Sequence, residues 1–264
     1  VGGAWVPLGS EIIPAVTSQF GTGVSLSTDG SVLAVGGPLG AGRFEVFTLA
    51  AGAWVPMGSP VVAGGAADRL GYDVSISGDG TRVLASVQGA DVGTDTGAGK
   101  VRVYDWSGGA WVQVGGDIDG RGGFGLNASM SRDGQRVVGY AANVGDYAAV
   151  FELVGNAWVQ MGADFTVPGA FDVHQNVDLS SSGDRIAIGS MFDDSDNKGR
   201  VRIYDWNGTD WVEVGDGVIG PHQSAQFGWS LALSADGSRF LAGVPGYNAM
   251  GSTVFGGAAV FIIN

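Results

Sequence analysis

Asp73 and Asp178 are the pair of acids in this sequence whose positions suit catalysis. Each lies in a short stretch of alternating apolar and polar residues, which is typical of a half-buried strand. Two carboxyl groups on either side of a glycosidic bond can hydrolyse it, one as acid and the other as nucleophile or base. In other copies of the same pattern, the position of Asp178 is occupied by Ser25, Ser75, Ser129 and Ala232. A buried carboxylate that accepts hydrogen bonds therefore explains the pair better than catalysis does, and we predict no catalytic residue.

A second candidate site is a set of residues at the entrance of each of these strands. The equivalent positions are Gly23, Asp73, Asn127, Asn176 and Ser230, with Tyr72, Gln175 and Trp229 as neighbours. Polar side chains that converge on one channel hold water, an ion or a polar group of a ligand. The pattern predicts a binding site at a channel mouth, and ordered channel water is the simpler alternative.

Metal and nucleophile chemistry have little support in the sequence. The chain has no cysteine, which excludes thiolate nucleophiles, disulfides and cysteine-ligated metals. The two histidines, His174 and His222, lie outside any nucleophile or metal motif. Two loops, Asp91–Asp95 and Asp193–Asp196, are acidic, but Lys198 and the glycine placement do not fit a calcium loop. We expect no metal and no cofactor; cation binding by these loops is the open alternative to a solvated acidic surface.

Charge and composition exclude several classes of partner. The chain has 13 basic and 26 acidic residues and a net charge of −13, so it repels phosphate backbones and anionic lipid surfaces. Hydrophobic residues make up 45% of the chain, which is enough to bury a core. No apolar run approaches the ~20 residues that a membrane helix needs. We therefore expect a globular protein that binds no nucleic acid and does not insert into a membrane.

An internal repeat defines the elements that position these residues. A Trp-Val-x-(Leu/Met/Val)-Gly string occurs five times, at intervals of 47 to 57 residues. The copies begin at Trp5, Trp54, Trp111, Trp158 and Trp211. Each unit also contains an alternating strand, an Asp-Gly or Ser-Gly turn, a short apolar strand, a variable loop and a third strand. Every unit thus predicts four short antiparallel strands.

Five such units predict an all-β fold, a five-bladed β-propeller, because four strands per repeat of this length are typical of a propeller blade. The chain begins on a tryptophan strand, residues 4–9, and ends on a third strand. Pairing these two segments completes the last blade and removes an open edge. We therefore predict one domain, residues 1–264, in which the N-terminal strand closes the last blade.

The repeat resembles the FG-GAP class of β-propeller repeats. The closest copies are Phe20-Gly21 with Gly36-Gly37-Pro38, and Phe227-Gly228 with Gly243-Val244-Pro245. The resemblance implies an extracellular or cell-surface interaction module without catalytic activity. Metal-binding members have an aspartate-rich calcium loop between the first two strands, whereas this chain has the tight turn Ser27-Thr28-Asp29-Gly30. The calcium sites of the family are therefore not carried over.

Together these observations predict a non-catalytic interaction or structural module of a larger extracellular or cell-surface protein or assembly. Its partners would be proteins or glycans that contact the variable loops, since such loops on a rigid scaffold carry recognition. Two alternatives stay open: a lectin-like carbohydrate-binding domain with a tryptophan per blade, and a glycoside hydrolase that uses Asp73 and Asp178. Asn207, in the Asn207-Gly208-Thr209 sequence of an exposed turn, is a candidate glycosylation site.

Overall fold

The computed structural model describes residues 4–14, 18–142, 146–166, 176–193, 196–246 and 256–263. These residues form 23 strands in five antiparallel sheets and contain no helix, which confirms the all-β class. A helix long and apolar enough to cross a membrane is accordingly not found in this part of the chain.

The first two sheets each contain five strands. Sheet 1 consists of β1 (Val24–Leu26), β2 (Val32–Gly37), β3 (Arg43–Ala50), β4 (Ala53–Pro56) and β5 (Val61–Val62). Sheet 2 consists of β6 (Leu70–Ile76), β7 (Arg82–Val87), β8 (Lys100–Ser107), β9 (Ala110–Gln113) and β10 (Ile118–Asp119).

Sheets 3 and 4 repeat this arrangement, and sheet 5 is shorter. Sheet 3 consists of β11 (Asn127–Met130), β12 (Arg136–Ala141), β13 (Tyr147–Val154), β14 (Ala157–Gln160) and β15 (Phe165–Thr166). Sheet 4 consists of β16 (Asn176–Leu179), β17 (Arg185–Ser190), β18 (Arg200–Trp206), β19 (Trp211–Glu213) and β20 (Val218–Ile219). Sheet 5 consists of β21 (Leu231–Leu233), β22 (Arg239–Val244) and β23 (Gly257–Ile262).

The outer edge of each complete sheet differs from the predicted single fourth strand. Two short strands replace it, and both pair with the third strand of the sheet. In sheet 1, β4 pairs with one end of β3 and β5 pairs with the other end. The glycine of the tryptophan motif lies between them and has a positive φ, +87° at Gly58 and +68° at Gly115. Because a strand cannot continue through this left-handed conformation, the motif glycine divides the edge in two.

The first hairpin of each unit forms as the sequence predicts. In sheet 1, Ser27 Oγ and the Ser31 amide both donate to Asp29 Oδ1, at 2.7 and 3.0 Å, and Gly30 has φ +71°. These hydrogen bonds lower the pKa of Asp29 to about 2, so the turn is charged at neutral pH. The aspartate therefore stabilises the hairpin by accepting hydrogen bonds from residues of the same turn.

The hydrophobic core lies between successive sheets. Leu70, Val74 and Ile76 of sheet 2 pack in one cluster with Phe44 and Val46 of sheet 1, and all five are almost fully buried. Corresponding clusters join sheets 2 and 3, sheets 3 and 4, and sheets 4 and 5. Sheets 2, 3 and 4 therefore bury both faces against their neighbours, as in a propeller, and sheets 1 and 5 each bury one face.

The Phe-Gly position of the repeat is a contact between sheets. Gly71 has φ +81°, and it lies against Gly36 of the preceding sheet. A Cβ atom added to Gly36 would lie only 2.0 Å from the Gly71 carbonyl oxygen. The two backbones can approach this closely only because neither residue has a side chain.

The two ends of the array are less covered than its interior. Among the described residues β23 pairs only with β22, and residues 4–9 form no strand. Instead, the Trp54 indole Nε1 donates to the Leu8 carbonyl oxygen at 3.0 Å, which places the N-terminal segment against sheet 1. Val24 of sheet 1 and Val260 of sheet 5 are 63% and 67% exposed. Pairing of residues 4–9 with the last strand stays a prediction.

Candidate functional site

A central cavity is lined by the first strand of every sheet. Its volume is about 190 Å³, and its lining is mostly polar. The residues that contribute include Ser25, Ser75, Ser129, Arg132, Asp178 and Leu233. Since successive side chains of a strand alternate between faces, Ser25, Ser75, Ser129 and Asp178 occupy equivalent positions on four of these inner strands.

The turns at one end of this cavity are joined by backbone hydrogen bonds. The amide of Thr28 donates to Gly78 at 2.9 Å, and the amide of Gly78 donates to Arg132 at 2.7 Å. The same contact continues from Arg132 to Ser181 and from Ser181 to Ala235, at 3.0 and 2.9 Å. The five sheets are therefore held in a fixed order around one cavity.

Asp73 links sheet 2 to sheet 3. Its Oδ2 accepts the Ala128 amide at 2.9 Å and the Asn127 side-chain amide at 3.3 Å, and its Oδ1 accepts the Val74 amide at 2.9 Å. Burial raises the pKa of Asp73 to about 6, although the two backbone amides oppose this shift. Both carboxylate oxygens are thus occupied, Oδ2 by groups of the next sheet and Oδ1 by an amide of its own strand.

Asn127 and Asn176 continue the same contact around the cavity. Asn127 Oδ1 accepts the Val177 amide at 2.8 Å, and Asn127 Nδ2 donates to Asn176 Oδ1 at 3.2 Å. Asn176 Nδ2 in turn donates to the carbonyl oxygen of Trp229. Three of the predicted mouth residues therefore form one chain of hydrogen bonds with Asp73.

Asp178 has the corresponding role between sheets 4 and 5. Its Oδ2 accepts the Leu233 amide at 2.8 Å, and its Oδ1 accepts the Ser129 hydroxyl at 2.7 Å and the Leu179 amide at 3.0 Å. Burial raises the pKa of Asp178 as well. The structure therefore gives both inner aspartates the hydrogen-bonded environment that the sequence favours over catalysis.

One geometric rule describes these inner side chains. The first strand of each sheet lies at the edge of that sheet, so the backbone amides on its free side have no hydrogen-bond partner in a neighbouring strand. A polar side chain of the preceding sheet accepts from one of them, as Ser25 Oγ does from the Ile76 amide at 3.1 Å. Satisfying a buried amide in this way avoids a penalty of about 1–3 kcal/mol per group.

The remaining predicted mouth residues lie in different surroundings. Tyr72 lines a separate cavity of about 440 Å³ together with Gln19, Leu39 and Arg69. Ser230 accepts the Gly243 amide through its carbonyl oxygen at 2.8 Å. Gln175 and His174 lie outside the described residues. Of the predicted mouth residues, Asp73, Asn127, Asn176 and Trp229 therefore belong to one chain of hydrogen bonds, and Tyr72 belongs to a separate cavity.

The described acidic residues of the two loops are paired within their own loops, except Asp193, which pairs with a strand. Asp91 Oδ1 accepts the Gly97 amide at 2.8 Å, and Asp95 forms a two-residue bridge with Val92. Asp193 is 8% exposed and pairs with Arg202. The carboxylate of Asp196 lies 3.4 Å from the ammonium group of Lys198. Among the described residues of the chain, three or more metal-ligating side chains do not cluster.

Asn207 occupies an exposed turn, as the sequence predicts. Its Oδ1 accepts the amides of Thr209 and Asp210, both at 2.9 Å. The other Asn-x-Ser sequence begins at Asn127, whose side chain is committed to the inner ring. A glycan is therefore compatible with Asn207 and not with Asn127.

Two functional features were not found from the sequence. Arg132 lines the cavity, and its guanidinium donates to the Thr28 hydroxyl of sheet 1 at 3.0 Å. Four motif tryptophans, Trp54, Trp111, Trp158 and Trp211, donate through their indoles to backbone carbonyls of the preceding unit. In each of these contacts the acceptor carbonyl belongs to the residue three positions after the tryptophan of the preceding unit. This constant spacing is the sequence signal that could have identified the contact.

No protein-family model matches this chain, and no curated protein sequence matches it. Among solved structures, a "putative 6-phosphogluconolactonase" from Bacteroides uniformis has a TM-score of 0.54 and 14% identity, with 76% of this chain and 55% of that chain covered. This chain thus spans little more than half of that neighbour's length.

Two further solved structures are similar over more of this chain. The β-propeller domain of Cps50 (Swd1) from Myceliophteria thermophila has a TM-score of 0.55 and 17% identity, covering 89% of this chain and 64% of that chain. A "putative TolB" from Agrobacterium tumefaciens has a TM-score of 0.56 and 14% identity, covering 93% and 78%. These likenesses concern the fold, which also occurs in chains named as enzymes. The antiparallel sheets of this chain are thus similar to β-propeller domains.

Proposed function

We propose that this chain is a non-catalytic interaction or structural module of an extracellular or cell-surface protein. The observation that carries the proposal is that the polar side chains of the inner strands accept hydrogen bonds from neighbouring sheets. Asp73, Asn127 and Asp178 accept backbone amides of the next sheet, so the groups most suited to chemistry already stabilise the scaffold. The extracellular location is supported by the resemblance to FG-GAP repeats.

The architecture proposed for this module is a single five-bladed propeller of residues 1–264. Five sheets around one cavity and a turn-to-turn hydrogen-bond path support it. The glycine of the Phe-Gly pair supports the FG-GAP likeness, because Gly71 and Gly228 have positive φ and lie against the preceding sheet. Closure of the last blade by residues 4–9 belongs to the same proposal.

Recognition is assigned to the loops between the second and third strands. Those of sheets 2 and 4, residues 88–99 and 191–199, are long, and both are acidic. Asp193 pairs with Arg202 of the third strand, and Asp91 accepts the Gly97 amide within its own loop. Loops of variable sequence on a scaffold of sheets suit a protein partner or a glycan.

A crosslinking experiment tests this assignment. A photo-crosslinking amino acid at Asp95 samples the long loop of sheet 2, and the same amino acid at Ser107 samples an exposed outer hairpin as matched control. We expect partner adducts, detected by mass spectrometry in the extracellular fraction of the source cells, from position 95 only. Equal labelling from both positions would contradict recognition by the loop.

A carbohydrate-binding function is the first alternative. The indoles of Trp54, Trp111, Trp158 and Trp211 each donate to a backbone carbonyl, which leaves less of each ring for a sugar. A glycan array with the intact protein separates the two functions. Silence across the array supports the interaction module, and repeated weak binding to one sugar class supports the lectin.

An enzymatic function is the second alternative, favoured by two observations. The pKa of Asp73 is raised to about 6, which suits a general acid, and Asp178 lines the central cavity. Two neighbours in fold are also named as 6-phosphogluconolactonases. Hydrolysis of lactones or glycosides that is lost in Asp73→Asn and Asp178→Asn variants would support an enzyme; no hydrolysis by the parent protein supports the module.

A further inference from the structure

Four tryptophans form the same contact across successive units. The indole Nε1 of Trp54 donates to Leu8 at 3.0 Å, and that of Trp111 donates to Met57 at 2.8 Å. Trp158 donates to Val114 at 3.1 Å and Trp211 to Met161 at 2.9 Å. In every case the acceptor is the carbonyl oxygen three residues after the tryptophan of the preceding unit.

The fifth acceptor of this series is Val214, three residues after Trp211. Among the described residues no indole donates to it, and a cavity of about 280 Å³ opens beside it. Val218 and Phe261 line this cavity. Val218 is the seventh residue after Trp211, and Phe165 is the seventh residue after Trp158, so the two positions are equivalent. The ring centroid of Phe165 lies 5.8 Å from that of Trp211. The cavity thus occupies the place where an indole packs in the other units.

The fifth donor is Trp5, whose side chain is fully exposed. It belongs to the same motif as the others, and Gly9 has φ +77°, the conformation of the motif glycines Gly58 and Gly115. A tryptophan exposed in this way leaves a large apolar surface and a hydrogen-bond donor without the packing that such rings usually find. One unfilled indole cavity and one uncovered indole therefore occur in the same chain.

We propose that the cavity beside Val214 is an indole-binding site and that Trp5 of this chain is its occupant. Trp5 Nε1 donates to the Val214 carbonyl oxygen, and residues 4–9 pair with the free edge of β23. The inference rests on the proposed five-bladed ring and adds a defined side chain and its acceptor to that ring.

Two observations select this segment as the occupant. Leu8 already contacts Trp54 of sheet 1, so docking of Trp5 brings sheets 1 and 5 together and completes a cycle of five indoles and five carbonyls. The same movement covers the exposed side chains of Val24 on sheet 1 and Val260 on sheet 5. These positions are buried in the interior sheets, at Val74 and Val150 for example.

Hydrogen exchange of the full-length protein tests the site. In the Trp5→Ala variant we expect the amides of β23 to exchange roughly tenfold faster than in the parent, while those of β13 are unchanged. Val6→Ala is the matched control, because the equivalent residues Val55 and Val112 are 43% and 51% exposed. That variant should exchange like the parent.

A synthetic peptide of residues 4–12 provides a second measurement. Added to the Trp5→Ala variant, it should restore protection of β23, whereas the same peptide with alanine in place of tryptophan should not. Unchanged exchange of β23 in Trp5→Ala would overturn the inference. The ring itself is then tested separately at Val260.

Mass measurement by light scattering identifies whose tryptophan is bound. A monomer with protected β23 amides supports docking within one chain. Protection that appears only with rising protein concentration, together with a higher mass, would assign the site to a second copy and overturn the stated occupant.

Discussion

At the scale of single residues, the inner aspartates connect sheets. Asp73 and Asp178 each accept one amide from the next sheet and one from their own strand. The sequence identified both as channel residues because alternation shows which face a strand residue occupies. It could not identify the amide that each one binds, since that depends on the distance between two strands about 50 residues apart.

The raised pKa of Asp73 makes stability depend on pH. Its pKa of about 6 in the folded protein lies above the ordinary value of 3.8, so the folded protein binds this proton more tightly than the unfolded chain does. The resulting stabilisation is complete below about pH 4 and is lost as the pH rises through 6.

The Asp73→Asn variant isolates this effect. Between pH 4 and pH 7 the parent should lose roughly 2–3 kcal/mol of unfolding free energy relative to the variant, at about 1.4 kcal/mol per pKa unit. Urea unfolding at both pH values measures the difference. A gap between parent and variant that is the same at pH 4 and pH 7 would show that Asp73 is not perturbed.

At the scale of elements, the second strand of several sheets begins with an arginine that binds two sheets. Arg185 forms a paired contact with Asp205, at 2.5 and 2.7 Å, and also donates to the Gly237 carbonyl oxygen of the next sheet at 2.8 Å. An arginine occupies this position after four of the five turns, at Arg82, Arg136, Arg185 and Arg239, and such regular spacing is itself a sign of a scaffold role. The acidic partner, Asp205 on the third strand, could not be predicted from the sequence, because which residues face each other depends on the pairing register of the two strands.

Arg185→Lys should destabilise the protein by about 1 kcal/mol, because a lysine cannot form the two-pronged contact and the pair is partly solvated. Arg239→Lys is the matched control, since Arg239 occupies the same position but faces Ile262 in the register. Thermal unfolding of both variants gives the comparison. Equal losses would mean that the arginine acts through general packing.

The close approach of neighbouring sheets gives a second element-scale prediction. A Cβ atom on Gly189 would lie 2.4 Å from the Gly228 carbonyl oxygen. Gly189→Ala should therefore cost about 2–3 kcal/mol. Gly64→Ala has open space around it and should change stability by less than about 0.5 kcal/mol. Chemical denaturation distinguishes the two, and a tolerated Gly189→Ala would argue against this packing.

The strands themselves show where sequence reasoning succeeds and where it fails. Alternating residues and the Asp-Gly turns predicted the first and second strands of each sheet correctly, because both are local signals in the sequence. The division of the outer edge into two strands was not predicted, since the glycine of the tryptophan motif was taken as part of one strand. Its left-handed φ does not follow from the strand pattern; at Gly9 an added Cβ atom would lie 3.1 Å from the tryptophan of the next unit.

At the scale of the whole molecule, the sheets form an ordered series whose two ends remain exposed. Repeat counting gave five units, and the described residues form five sheets. Whether the first and last sheets meet cannot be read from periodicity, because an open and a closed array have the same repeat. The side chains at the two ends decide it.

Val260 provides the corresponding test of the ring. It is 67% exposed, whereas the equivalent Val103 and Val150 are fully buried. If the ring closes, Val260→Asn should cost about 2–3 kcal/mol, because a polar group would be buried between sheets. Val154→Asn, at an exposed position of the same strand type, should be nearly neutral. A neutral Val260→Asn would refute closure.

The contacts between sheets have a direction: acceptor side chains reach forward to the next sheet, and indoles reach back to the preceding carbonyl. Such an interface is heterologous, with two different halves. Closed on itself it gives a ring, and shared between molecules it propagates head to tail without limit. A chain whose ends fail to meet is therefore a monomer for linear polymerisation, and filament growth is the characteristic failure of this design.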